Sequence, residues 1–216
     1  MSMKSFVSVI AALLFLGFSS SSVMENDPYV AMKDVAGFKT KLNQKNQSTQ
    51  TLTCDFVQEK SLSFMDKKVL SKGLMKFKNP DMMKLEYTTP FEYIMSLNKG
   101  KVIIKDNGKV SKYDSNSNKV FKYVNDLMIN AVKGNVADSK EFSIVFKENA
   151  KTCLMEMTPL DATMKDYVNK VLVTVSKADY GVLKVEMTEK SGDYTLITFN
   201  NRVYNTQIQD EVFNVR

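Results

Sequence analysis

The sequence is 216 residues long, 44% hydrophobic and 25% charged, with a net charge of +6 and no histidine. That length supports one domain with a sizeable core, and the lack of an internal repeat, low-complexity tract or Pro/Gly linker favours one unit over two. The positive charge does not describe a nucleic-acid-binding protein, because the lysines are scattered through alternating patterns and Arg202 and Arg216 are the only arginines.

The chain opens with Lys4, an apolar run over residues 6–18 and a small polar tail, Ser19 to Ser22. This pattern predicts a secretory signal peptide over residues 1–22, followed by one domain over 23–216. The run is too short for a comfortable membrane span, and Lys, Asp or Glu interrupts every later apolar stretch. No cysteine precedes Cys54, so no acceptor for a lipid follows the leader, and the mature protein is expected to be exported and free in solution. In an oxidising compartment Cys54 and Cys153 could form a bridge, but both also suit apolar strands as free buried thiols, and the sequence leaves that choice open.

From residue 28 to 44 the apolar side chains Met32, Val35, Phe38 and Leu42 recur at three- and four-residue steps. They predict an amphipathic helix, with Asp27 as cap and Pro28 in its first turn, leaving through the polar residues 43–50. After Gln50 the period falls to two. Strands are expected over 52–59, 71–77, 84–87, 91–97, 101–105, 110–113 and 119–123. Asn79-Pro80 and Thr89-Pro90 mark interruptions, and Asp106-Asn107-Gly108 reads as a hairpin turn rather than a calcium loop. Leu127, Met128, Ala131 and Val132 predict a short helix over 125–133, stopped by Gly134. Strand patterns resume at 141–148, 151–157, 169–176, 182–188 and 194–200, with a short one expected at 207–213. Hairpin-length connections argue against a parallel α/β fold, and an antiparallel sheet of this width is expected to curl, split or close.

The residues that commonly carry chemistry are scarce. Without histidine the usual serine and cysteine triads are lost, and there is no Gly-rich phosphate loop or closely spaced cysteine pair. The reading is therefore a non-enzyme without cofactor or metal. Fourteen methionines and thirteen phenylalanines with no tryptophan suit either an ordinary core or a pocket that adapts to variable apolar chains.

Phe56-Val57-Gln58, Gly73 to Pro80, Met83 to Tyr87 with Pro90, Asn98 to Lys101, and Tyr113-Asp114 follow one another at characteristic spacings. Near the C-terminus come Met187-Thr188-Glu189, Gly192-Asp193, Thr195 and Phe199, then Asn205, Ile208 and Phe213. In order, spacing and coverage, about residues 30–213, the chain resembles the bacterial outer-membrane lipoprotein carrier protein family, LolA. The resemblance implies a mainly β fold with helices: a strongly curved antiparallel sheet forming an incomplete β-barrel covered by a helical lid. It implies a periplasmic carrier of the acyl chains of lipoproteins. The implied partners are acylated lipoproteins, an inner-membrane ABC transporter complex that releases them, and an outer-membrane acceptor.

On this reading Leu74, Phe77, Leu85, Tyr87, Met95, Val102 and Ile104 are the candidate acyl-chain cavity, subject to strand register. Val35, Phe38, Leu42, Leu127 and Met128 are the candidate lid. The family has an arginine in its Lys-Arg-Pro element that tethers the lid, whereas this chain has Lys78-Asn79-Pro80, so Lys78, Asn79 and Lys84 are the candidates for a substitute tether. A monomer is expected. The alternatives are a related lipid-binding receptor or envelope-stress sensor, or a structural envelope protein that binds no ligand.

Overall fold

The computed structural model describes residues 27–65, 67–114, 129–130 and 135–215. The strands among them are β1 (Val30–Ala31), β2 (Thr51–Ser61), β3 (Val69–Lys78), β4 (Met82–Thr89), β5 (Tyr93–Asn98), β6 (Lys101–Asp106) and β7 (Lys109–Asp114). They continue as β8 (Phe142–Glu148), β9 (Thr152–Pro159), β10 (Val168–Ser176), β11 (Val182–Glu189) and β12 (Tyr194–Tyr204). All pair antiparallel in one sheet, ordered β1-β8-β9-β10-β11-β12-β2-β3-β4-β5-β6-β7. Each neighbour is reached through a hairpin except at β12 to β2 and β1 to β8, and the described sheet is not closed. The short connections favour this outcome, since antiparallel strands can be joined by a tight hairpin whereas parallel ones need a crossover of about a dozen residues or more.

Helix α1 (Val35–Ser48) starts later and ends later than its sequence pattern suggests. Val30 and Ala31 pair with Glu148 and Lys147. Asp34, not Asp27, caps the helix, its carboxylate accepting from Gly37 N at 2.8 Å. Asp27 instead accepts from Ala150 N at 2.7 Å. Edge pairing thus claims the segment whose spacing alone reads as a first helical turn. The terminal strand expected at 207–213 is a 3₁₀ turn, Asp210–Phe213, because this segment crosses the sheet face rather than joining an edge. A short helix α2 (Ala162–Lys165), capped by Asp161, was not anticipated from the sequence. The strand expected at 119–123 lies outside the described residues, and so does the helix expected at 125–133, apart from the helical Ile129 and Asn130.

One connected apolar core covers one face of the sheet. It takes Cys54 and Phe56 from β2, Met75 and Phe77 from β3, Met83 and Leu85 from β4, Met155 and Met157 from β9, and Val171, Val173 and Val175 from β10. Helix α1 adds Phe38 and Leu42 to it. The Phe38 ring lies 6.0 Å from Phe146 of β8 and 6.4 Å from Tyr180 in the β10–β11 turn. Lys39 bonds Asp138 at 2.9 Å, and Lys45 sits 3.3 Å over the Tyr204 ring. These contacts hold α1 against the β8 to β12 half of the sheet. Both cysteines are free and buried, and burial pushes the Cys54 thiol up to about 12.

Candidate ligand-binding face

Register makes β3 to β6 an ordered apolar wall. Met75 pairs with Leu85, Leu85 with Met95 and Met95 with Ile104. One pleat along, Phe77, Met83, Leu97 and Val102 form a parallel row. Both rows lie on the core side because side chains two apart along a strand share a face. Phe77, Leu85 and Val102 are buried, while Tyr87, Met95 and Ile104 are partly buried against the same core.

At the next position along, Gly73 pairs with Tyr87, which pairs with Tyr93. A Cβ on Gly73 would stand 2.1 Å from the Glu86 carbonyl oxygen and 2.7 Å from the Phe56 ring. Glycine here therefore lets Phe56 lie against the strand, where it meets Tyr87 edge-on at 4.9 Å. Tyr93 stacks edge-on to the other side of Tyr87 at 5.5 Å. The Tyr87 hydroxyl donates to Gln58 at 2.8 Å, and burial pushes its pKa up to about 12. It stays neutral at any physiological pH, so the wall presents no charge to an apolar ligand.

Leu74 does not belong with the other wall residues. It is 45% exposed and pairs with Glu86, on the opposite face from Met75 and Phe77. The run Gly73-Leu74-Met75 is apolar throughout, so the sequence hides which of its members points inward. Sequence reasoning also missed Phe56 and Tyr93 beside Tyr87, and the Val171, Val173, Val175 row with Met155 and Met157. The strict alternation of valines over 169–176 was the signal for that row.

The lid candidates divide. Phe38 and Leu42 are buried in the core and Val35 is half-buried, whereas Leu127 and Met128 lie outside the described residues. The tether candidates act elsewhere than on α1. Lys78 Nζ donates to the Ile208 carbonyl at 2.7 Å and to Asp210 at 2.5 Å. Lys84 pairs with Glu86 at 2.8 Å, and Asn79 N donates to the Gln50 carbonyl at 2.8 Å. Lys78 and Lys84 thus project from the outer face and the β3–β4 corner. Lys78 binds the C-terminal segment, whose Ile208 and Phe213 pack on Met82. No group of three metal-ligating side chains occurs among the described residues.

No curated protein matches the sequence. Among solved structures, an uncharacterized conserved protein from Thermus thermophilus superposes with a TM-score of 0.51 at 6% identity, over 82% of this chain and 90% of its own. A LolA superfamily protein from Nitrosomonas europaea gives 0.44 at 10% identity, over 86% and 98%. A putative outer membrane lipoprotein-sorting protein domain from Vibrio parahaemolyticus gives 0.45 at 11% identity, over 82% and 95%. The family model described as outer membrane lipoprotein carrier protein LolA matches residues 47–216, which span β2 to the C-terminal segment, and the chain belongs to that family.

Proposed function

We propose that this protein is a periplasmic carrier that binds the acyl chains of lipoproteins and shuttles them from the inner to the outer membrane. It would receive them from an inner-membrane ABC transporter complex and pass them to an outer-membrane acceptor. The observation that carries the proposal is the apolar wall of β3 to β6, uncharged and rich in methionine, in a chain of the lipoprotein-carrier family.

Methionine has three rotatable bonds and no branch, so Met75, Met83 and Met95 can repack around a flexible chain with little strain. Each acyl methylene removed from water contributes about 0.8 kcal/mol, so a few chains suffice for tight binding. In this reading Phe77, Leu85, Tyr87, Met95, Val102 and Ile104 contact the chains. Val35, Phe38 and Leu42, with Leu127 and Met128, cover them. Release needs a competing acceptor, because burial alone holds the cargo. The apolar run at 6–18 acts as the export leader.

The test is native mass spectrometry of residues 23–216 with a purified triacylated lipoprotein and its deacylated form. A one-to-one complex that depends on acylation is the expected result. Absence of a complex while both proteins stay folded would reject the carrier reading in favour of a sensor or a structural envelope protein.

A further inference from the structure

The outer face of the sheet carries a second recess, unrelated to the apolar wall. The C-terminal segment runs over β4 to β6 as a strap. Ser96 Oγ, fully buried, donates to the Phe213 carbonyl at 2.7 Å, and Asn98 Nδ2 donates to Asn214 Oδ1 at 3.0 Å. Lys78 fastens Asp210 at 2.5 Å. Between this strap and the outer face of β6 and β7 lies a groove of about 390 Å³.

The buried Ile103 forms part of its lining. Ile103 pairs with Lys112, and Asn98 with Lys101, so register brings both lysines to the face that the strap crosses. Lys99 joins them from the β5–β6 turn, where its φ is 50°. Asn98, Asn214 and Asp210 supply the polar remainder. Asp210 is the one carboxylate among the described lining residues; Lys78 engages it directly, and Lys99 attracts it more weakly. Among the described residues none of Lys99, Lys101 and Lys112 is in an ion pair, although ten such pairs use other cations.

We propose that this groove binds a phosphate-bearing anion of the size of a glycerol phosphate headgroup. Three ammonium groups around one concavity repel each other, and a dianion placed among them turns that repulsion into charge-assisted hydrogen bonds. A groove of about 390 Å³ exceeds what one tetraoxo anion needs, since a water molecule takes roughly 30 Å³, and so leaves room for an ester group. A bound anion would also tie the strap to β6 and β7. The same chemistry is offered by an anionic phospholipid surface or by a free phosphate ester. Neither source requires acyl binding at the apolar wall, so this inference stands apart from the carrier reading.

Thermal melting in glycerol phosphate, against chloride at equal ionic strength, tests it on residues 23–216 and on the triple variant K99Q/K101Q/K112Q. Glycerol phosphate is expected to raise the parent's Tm by several degrees and to leave the variant's unchanged. In chloride the variant should melt close to the parent, because relief of repulsion among the lysines offsets the lost attraction of Lys99 for Asp210. Sedimentation with phosphatidylglycerol vesicles but not phosphatidylcholine vesicles, reversed by glycerol phosphate and lost in the variant, would assign a lipid headgroup. A Tm shift without vesicle binding would assign a free phosphate ester. An equal Tm in the two salts, or a shift that survives in the triple variant, overturns the proposal.

Discussion

At the scale of single residues, the two faces of β3 are one position apart and differ in kind. Phe77 is 1% exposed within the main core, and Leu74 is 45% exposed beside Glu86. Phe77→Ala removes a buried ring and leaves a cavity, which should cost about 3–5 kcal/mol in urea unfolding. Leu74→Ala should fall within about 0.5 kcal/mol of the parent. Comparable losses would mean that the register has been misassigned. Cys54 and Cys153 follow the same logic. Each sits in the core as a small hydrophobe, and burial raises both thiol pKa values, so their sulfurs are poor nucleophiles in the folded protein.

At the scale of elements, α1 is where periodicity and tertiary contact agree on the face but not on the ends. Phe38 and Leu42 stood out in the sequence because their four-residue spacing puts them on one side. Asp34 won the capping position because β1 draws Val30 and Ala31 into the sheet ahead of it. Phe38→Asp should lower both stability and acyl binding, since it places a carboxylate against the Phe146 and Tyr180 rings. Val35 is half-buried, so Val35→Asp should spare the fold and reduce acyl binding at least tenfold, read by titration of a fluorescent fatty acid. Unchanged binding in both variants would remove α1 from the cover. The outer-face tether residues illustrate the limit of local reading. Lys78 looked like a lid contact in a family pattern, yet its partners lie 130 and 132 residues along the chain.

At the scale of the whole molecule, lysine–carboxylate pairs link distant segments, and they set how the protein responds to acid. Lys177 donates to Glu148 and holds its carboxyl below the ordinary value of 4.5, helped by the Lys33 backbone N–H. Lys78 likewise lowers Asp210 from 3.8, and Lys39 lowers Asp138. A carboxylate whose pKa falls on folding stabilises the fold above its unfolded value and loses that contribution as pH drops through the folded one. Melting temperature should therefore change little between pH 7 and 5 and decline below about 4.5, with a shallower acid decline in Lys177→Gln. A flat profile down to pH 3 would show that these exposed pairs contribute nothing measurable, as screening often ensures.

By itself the sequence determined the class of fold and the family. Period-two alternation and hairpin-length turns leave an antiparallel sheet as the natural arrangement, and eleven of the described strands follow from them. Part of the apolar wall was legible too, because Phe77 alternates with Lys76 and Lys78, and Leu85 and Tyr87 with Lys84 and Glu86, whereas Met95, Val102 and Ile104 lie in continuous apolar runs whose inner face strand pairing decides. Only the tertiary structure decided that Leu74 faces outward, that residues 30–31 form an edge strand, and that the C-terminus crosses the sheet as a strap. In each case the sequence is locally ambiguous. A continuous apolar run does not specify its inner face, and a short segment of mixed pattern takes the conformation of whatever backbone it meets. The cationic groove belongs with these, since Lys99, Lys101, Lys112 and Asp210 acquire a common site only when strand pairing and the returning tail bring them together.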